Sequence, residues 1–157
     1  MKWLTRADAK IDRLASAWLI HRFVDKDAEF LFCAPSEADA VVAKTGATPY
    51  DTAGAELGDV EGRCSFESIL KKYAIDDDAL AQMAKIIHAA DKASEVPEVV
   101  PQGEGVKAVL MGYSEAHPDD HVRLTAAEGM LDALLAWCRN EAKQRAKLAA
   151  ARARSAG

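Results

Sequence analysis

The amino-acid sequence predicts an α+β fold in which helices dominate, a helical bundle with a small β-α-β unit near the N-terminus. Two observations carry this expectation. Apolar residues recur at helical spacing through most of the chain, and strand-like runs are confined to residues 29–33 and 47–51. The 157 residues fit one domain, with 1–139 as its body and 140–157 as a basic tail, helical or disordered.

Ile11, Leu14, Ala15, Trp18, Leu19 and Phe23 follow the i, i+3, i+4, i+7 pattern of an amphipathic helix over residues 10–24. Asp25-Lys26-Asp27 breaks it, and Glu29-Phe30-Leu31-Phe32-Cys33 is short, apolar and aromatic, as a buried strand is. Pro35 stops that strand, and Ser36 is placed to cap a helix over residues 37–44. Gly46 ends the helix, and residues 47–51 form a second strand parallel to the first, with Pro49 favouring an edge. Residues 52–63 hold Gly54, Gly58 and Gly62 without periodicity, and a loop of that length inside a domain is often functional. Phe66, Ile69, Leu70 and Tyr73 define the next helix; Leu80, Met83, Ala84 and Ile87 define another, capped by Asp76 or Asp77. Pro97 and Pro101 mark a linker, after which Val106, Val109, Leu110 and Tyr113 form a short helix. The longest helix follows, with Val122, Ala126, Met130, Ala133, Leu134 and Trp137 as its expected buried face.

Composition limits the function classes. No apolar run approaches the ~20 residues of a membrane span, and the first residues lack a signal-peptide pattern, so a cytoplasmic protein with no membrane partner is expected. Cys33, Cys64 and Cys138 are odd in number and widely spaced, which argues against a disulfide framework. The net charge of −5 is uneven: six basic residues from Arg139 onward against Glu141 make the tail +5 and the body −10. An acidic body argues against nucleic acid as the main ligand. A small oxyanion or a metal ion fits better as partner, and a homodimer remains open.

Clustered His, Asp, Glu and Cys residues are the candidates for chemistry. His88 and Asp91 lie one turn apart where a core-facing stripe turns polar, and a buried carboxylate needs a compensating partner. Cys64 and Glu67 are a second i, i+3 pair on the preceding helix, although Glu67 also suits the positive end of that helix. Together with His121, these residues form a candidate set for a divalent transition metal, Fe, Mn or Zn, the thiolate favouring Zn. Lys10, Arg13 and Arg22 are candidate oxyanion ligands, or alternatively surface charges paired with Asp12 and Asp25. No nucleotide-binding loop or nucleophile elbow is present, and no catalytic residue is assigned.

Several motifs in order resemble the C-terminal domain of the ChrB-type chromate-resistance proteins. They are the stretch from Lys10 to Phe23, then Glu29-Phe30-Leu31-Phe32, then Gly46-Ala47-Thr48-Pro49-Tyr50-Asp51 and Cys64-Ser65-Phe66-Glu67. Ile87-His88-Ala89-Ala90-Asp91, Asp119-Asp120-His121 and the stretch from Asp132 to Arg139 complete the set, which spans Lys2 to about Arg139. Ser16-Ala17 stands where relatives often carry Cys-Pro, and Asp59 lies near where many carry a histidine after the pair Glu56-Leu57. The resemblance implies a role in chromate resistance or response, commonly encoded beside a chromate efflux pump. Larger relatives carry an additional N-terminal region associated with regulation, which this chain is expected to lack. The expected function is a metal-binding domain in that role, with activity as a small metalloenzyme on an oxyanion or redox substrate left open. The alternatives are a non-enzymatic chromate or sulfate sensor, and an interaction domain whose basic tail contacts a partner.

Overall fold

The computed structural model describes residues 1–157 and confirms a predominantly helical α+β architecture. Strand β1 (Lys2–Arg6) leads into helix α1 (Ile11–Leu19), which runs on as a π-helical turn over Ile20–Val24. Strand β2 (Glu29–Cys33), helix α2 (Ala38–Thr45) and strand β3 (Thr48–Pro49) follow. The remainder is α3 (Ser65–Lys72), α4 (Asp78–Lys92), α5 (Gln102–Ala116) and α6 (Asp120–Ala156).

The β-α-β unit is present, with one strand more than the sequence pattern reveals. Strand β1 lies between β2 and β3 and is parallel to both, Trp3 opposite Phe30 and Thr48. Its central residues Trp3, Leu4 and Thr5 are buried, as befits a middle strand. Five residues with a single alternation are too short a signal to separate from a chain end. Pro49 sits on the edge strand, where its missing N–H leaves no gap in the ladder.

The sheet separates two apolar layers. Leu4 packs with Ala38 and Ala47 under α2, whereas Trp3, Phe30 and Tyr50 join the main core formed with the helices. Helix α1 is the centre of that core: every residue from Ile11 to Ile20 except Arg13 is buried. It is therefore buried on more sides than its amphipathic spacing implies, and Asp12 and Ser16 are carried into the interior with it. Asp77 caps α4 through the N–H of Leu80, and Asp119 caps α6 through the N–H of Val122.

Helix α6 turns a different face inward from the one expected. Leu124, Ala127, Leu131, Leu135 and Cys138 are buried, whereas Val122 is 53% and Trp137 38% exposed. Both stripes are apolar, so periodicity alone does not rank them. The docking of α6 against α1, α4 and α5 selects the leucine-rich one. Leu131→Ala is expected to cost about 2–5 kcal/mol by leaving a cavity, and Val122→Ala no more than about 0.5 kcal/mol. Urea unfolding of dilute protein checks this; equal losses at the two positions would refute the assignment.

Candidate functional site

Two polar groups meet at the N-terminus of α3. Helix α3 begins after the 52–63 loop, where Cys64 occupies the cap position and Ser65 and Phe66 present free N–H groups. Asp12, on α1 and only 3% exposed, accepts from both: Ser65 N at 2.8 Å and Phe66 N at 3.1 Å. Ser16 Oγ adds a third donor at 3.2 Å. Burial, reinforced by the charge of Asp51, raises the Asp12 carboxyl to about 7 despite those donors.

From the other side, Glu67 folds back so that its Oε2 accepts the Cys64 N–H at 2.9 Å. The same oxygen lies 3.0 Å from Nδ1 of His88, which reaches across from α4. His88 is 6% exposed, and its Nε2 faces Glu95 Oε2 at 3.4 Å. Both ring nitrogens thus face carboxylates, whereas a neutral imidazole has only one N–H to donate. One ligand atom each from Cys64, Glu67 and His88 falls within 4.8 Å of the others, compatible with one shared ion. Burial, with the charge of Asp12 nearby, holds the Cys64 thiol far above its usual range, which keeps it a neutral thiol.

The second group is a cleft of about 270 Å³ lined by charged residues alone: Arg6, Lys10, Asp12, Arg13, Asp51, Asp59, Asp91 and Lys92. Asp51 has a left-handed backbone, φ 46°, and its carboxylate lies 3.2 Å from both Arg6 and Arg13. Arg13 also donates to the carbonyls of Arg6 and Ala7. Lys92 pairs with Asp59 and lies 3.8 Å from Glu95, so it links the cleft to the His88 group. Carboxylate oxygens of Asp12, Asp51 and Asp59 also converge within 4.8 Å. Arg6 and Arg13 pair with Asp51, Lys92 with Asp59, and the α3 N–H groups with Asp12.

The residues singled out from sequence are therefore distributed over three places. Cys64, Glu67 and His88 come together. Asp91 does not join them: it lies on the rim of the charged cleft with Lys10 and Arg13, where partial desolvation by the cleft walls and the charges of Asp51 and Asp59 push its carboxyl up. His121 belongs to neither group; it is exposed and lies edge-on to Phe32, ring centroids 5.0 Å apart. Arg22 is on another face, bound to Glu128 and to both oxygens of Asp132, with His21 on Glu128 beside it. It cannot share an oxyanion with Arg13 in this arrangement. Asp12, Asp51 and Glu95 are site residues that the sequence reading did not single out. The signal for Asp12 was its place among the apolar residues of α1; Asp51 closes the run expected as a strand over 47–51, of which only Thr48–Pro49 pair, and Glu95 lies in an irregular segment with no period to read.

The fold and these groups define a helical domain with a buried Cys-Glu-His group beside a charged cleft, both built around one helix N-terminus. The chain belongs to the family described as ChrB, C-terminal domain, whose model matches residues 3–138. It is 34% identical over 134 residues to Protein ChrB of Cupriavidus metallidurans, a match that covers 85% of this chain and 39% of that protein. The chain thus spans about two fifths of the length of this relative. No solved structure matches it. No helix is long and apolar enough to cross a membrane.

Proposed function

We propose that this chain is a metal-binding domain acting in chromate resistance, with Cys64, Glu67 and His88 as protein ligands of a divalent transition metal. The observation that carries the reading is the convergence of thiol, carboxylate and imidazole donors within 4.8 Å at a largely buried position. A mixed S, O, N donor set is well suited to zinc, with Fe and Mn as the harder alternatives. Three protein ligands leave a fourth position for water or substrate, as in catalytic zinc sites. Glu95 is placed to accept the Nε2 proton of His88 while Nδ1 binds the ion, the usual outer partner of a metal-bound histidine. The link to chromate comes from family membership.

The test is elemental analysis of the purified chain, followed by titration with Zn²⁺ and Co²⁺. About one equivalent is expected, with a thiolate-to-cobalt charge-transfer band that Cys64→Ser abolishes. His88→Ala is expected to weaken binding by about 100-fold or more. Less than roughly 0.2 equivalents, unchanged on reconstitution, would sink the proposal.

A second reading, a chromate- or sulfate-binding module, is favoured by Arg6, Lys10, Arg13 and Lys92 lining one cleft. It is the weaker one, because each of those cations already lies within ion-pair distance of an aspartate. Four carboxylates on the same walls oppose an anion.

A further inference from the structure

The family match ends at residue 138, whereas helix α6 continues to Ala156. From Arg139 onward this extension is about 27 Å long at 1.5 Å per residue, and nearly all of it is exposed. Its cations are not spread evenly. At 100° per residue Arg139, Lys143, Lys147 and Arg154 fall within an arc of about 80°, with only Ala150 among them. Glu141, the one acid of the extension, lies on another side of the helix with Arg145 and Arg152. The first three cations of the stripe rise in steps of about 6 Å, and the whole stripe spans about 22 Å.

The stripe has little to do within its own chain. All four side chains are exposed; Arg139 reaches Asp77 at 3.8 Å, and the other three have no acid within ion-pair distance. The nearest acids upstream on the same line, Glu128 and Asp132, are bound by Arg22. The cations of the charged cleft, by contrast, each have an aspartate. Like charges four residues apart on a helix repel one another, so the stripe is a surface that an external polyanion relieves.

We propose that this stripe binds the phosphodiester backbone of nucleic acid. A duplex carries one negative charge per about 1.7 Å of axis, so a 22 Å stripe faces on the order of ten phosphates. The acidic body does not prevent the contact, because charges are screened within about 8 Å at physiological ionic strength, a third of the length of the extension. An acidic protein fits less well: a protein interface has an apolar core, and the arc offers nothing larger than Ala150. A membrane surface fits less well too, since Leu148 is the single large apolar residue of the extension. Contacts to phosphates carry no sequence information, so unrelated duplexes are expected to bind alike.

The test is fluorescence anisotropy of the full chain with two unrelated DNA duplexes of about 20 base pairs, over about 25–200 mM salt. Four phosphate contacts give a slope of log Kobs against log salt of about −3 to −4. Lys143→Ala with Lys147→Ala is expected to bring that slope to about −2, and Arg145→Gln with Arg152→Gln, the same charge change on the other side, to alter it by less than about 1. All four positions are exposed, and urea unfolding is expected to show the same midpoint for wild type and both variants. Absence of binding at the lowest salt would overturn the proposal. So would equal effects of the two double substitutions, or tighter binding to vesicles rich in phosphatidylserine than to either duplex.

Discussion

Arg123→Ala is expected to produce a large loss of stability without touching the candidate metal ligands. Arg123 is 2% exposed at the start of α6, and its guanidinium ties three segments together. It donates to Ala9 O at 2.7 Å in the β1–α1 loop, to His117 O at 2.9 Å before α6, and to Ser114 O at 3.3 Å in α5. Asp8 at 3.0 Å and Asp120 at 3.4 Å balance its charge. Asp120 in turn accepts the N–H groups of Asp8 and Ala9, which closes the network. Truncation leaves buried carbonyls without donors and a carboxylate without its counter-charge, a change that costs about 3–5 kcal/mol. At about 2–4 °C per kcal/mol for a domain of this size, Tm should fall by roughly 10 °C. Calorimetry decides the point, and a loss below about 1 kcal/mol would show that water replaces the guanidinium.

Asp12 makes the second large effect, and its sign is opposite to that of an ordinary paired carboxylate. Burial raises its carboxyl from 3.8 to about 7, so the folded state holds the proton where the unfolded chain has released it. Its contribution to stability is therefore present at low pH and is lost as pH rises from about 4 through about 7. Between pH 5 and pH 8 that loss amounts to about 2–3 kcal/mol at 1.36 kcal/mol per pKa unit. Asp12→Asn keeps an oxygen acceptor for the α3 N–H groups and has no proton to lose. The variant should thus gain stability relative to wild type as pH rises over this range, measured by urea unfolding at both pH values. A constant difference between the two proteins would contradict the assignment. Asp12→Ala is expected to be worse at every pH, because Ser65 and Phe66 then lose their acceptor, at about 1–3 kcal/mol for each buried group.

These two residues were also the hardest to see in advance, for a shared reason. Asp12 and Arg123 are charges inside helices whose neighbours read as ordinary amphipathic pattern, and the tools of periodicity assign a charge to the solvent face. Their burial follows from what packs against them, α3 in one case and the β1–α1 loop in the other. The pairing of Cys64 and Glu67 with His88 was more legible. Each i, i+3 spacing places its two residues on one helix face, and consecutive helices commonly pack together. Asp91 has the same spacing from His88, but it reaches the charged cleft instead. Two positions on one face of a helix need not reach the same partner.

The motif order was enough to assign the family, and periodicity enough to establish helical dominance and the β2-α2-β3 segment, since both properties are local or nearly so. What the tertiary structure alone decided is non-local. It placed β1 in the middle of the sheet, turned the leucine stripe of α6 inward over an equally apolar rival, and carried Arg22 and His121 away from the residues they were grouped with. Each of these outcomes depends on which surfaces meet. That is determined by the sum of many contacts between segments distant in the chain, to which a pattern within one helix is blind.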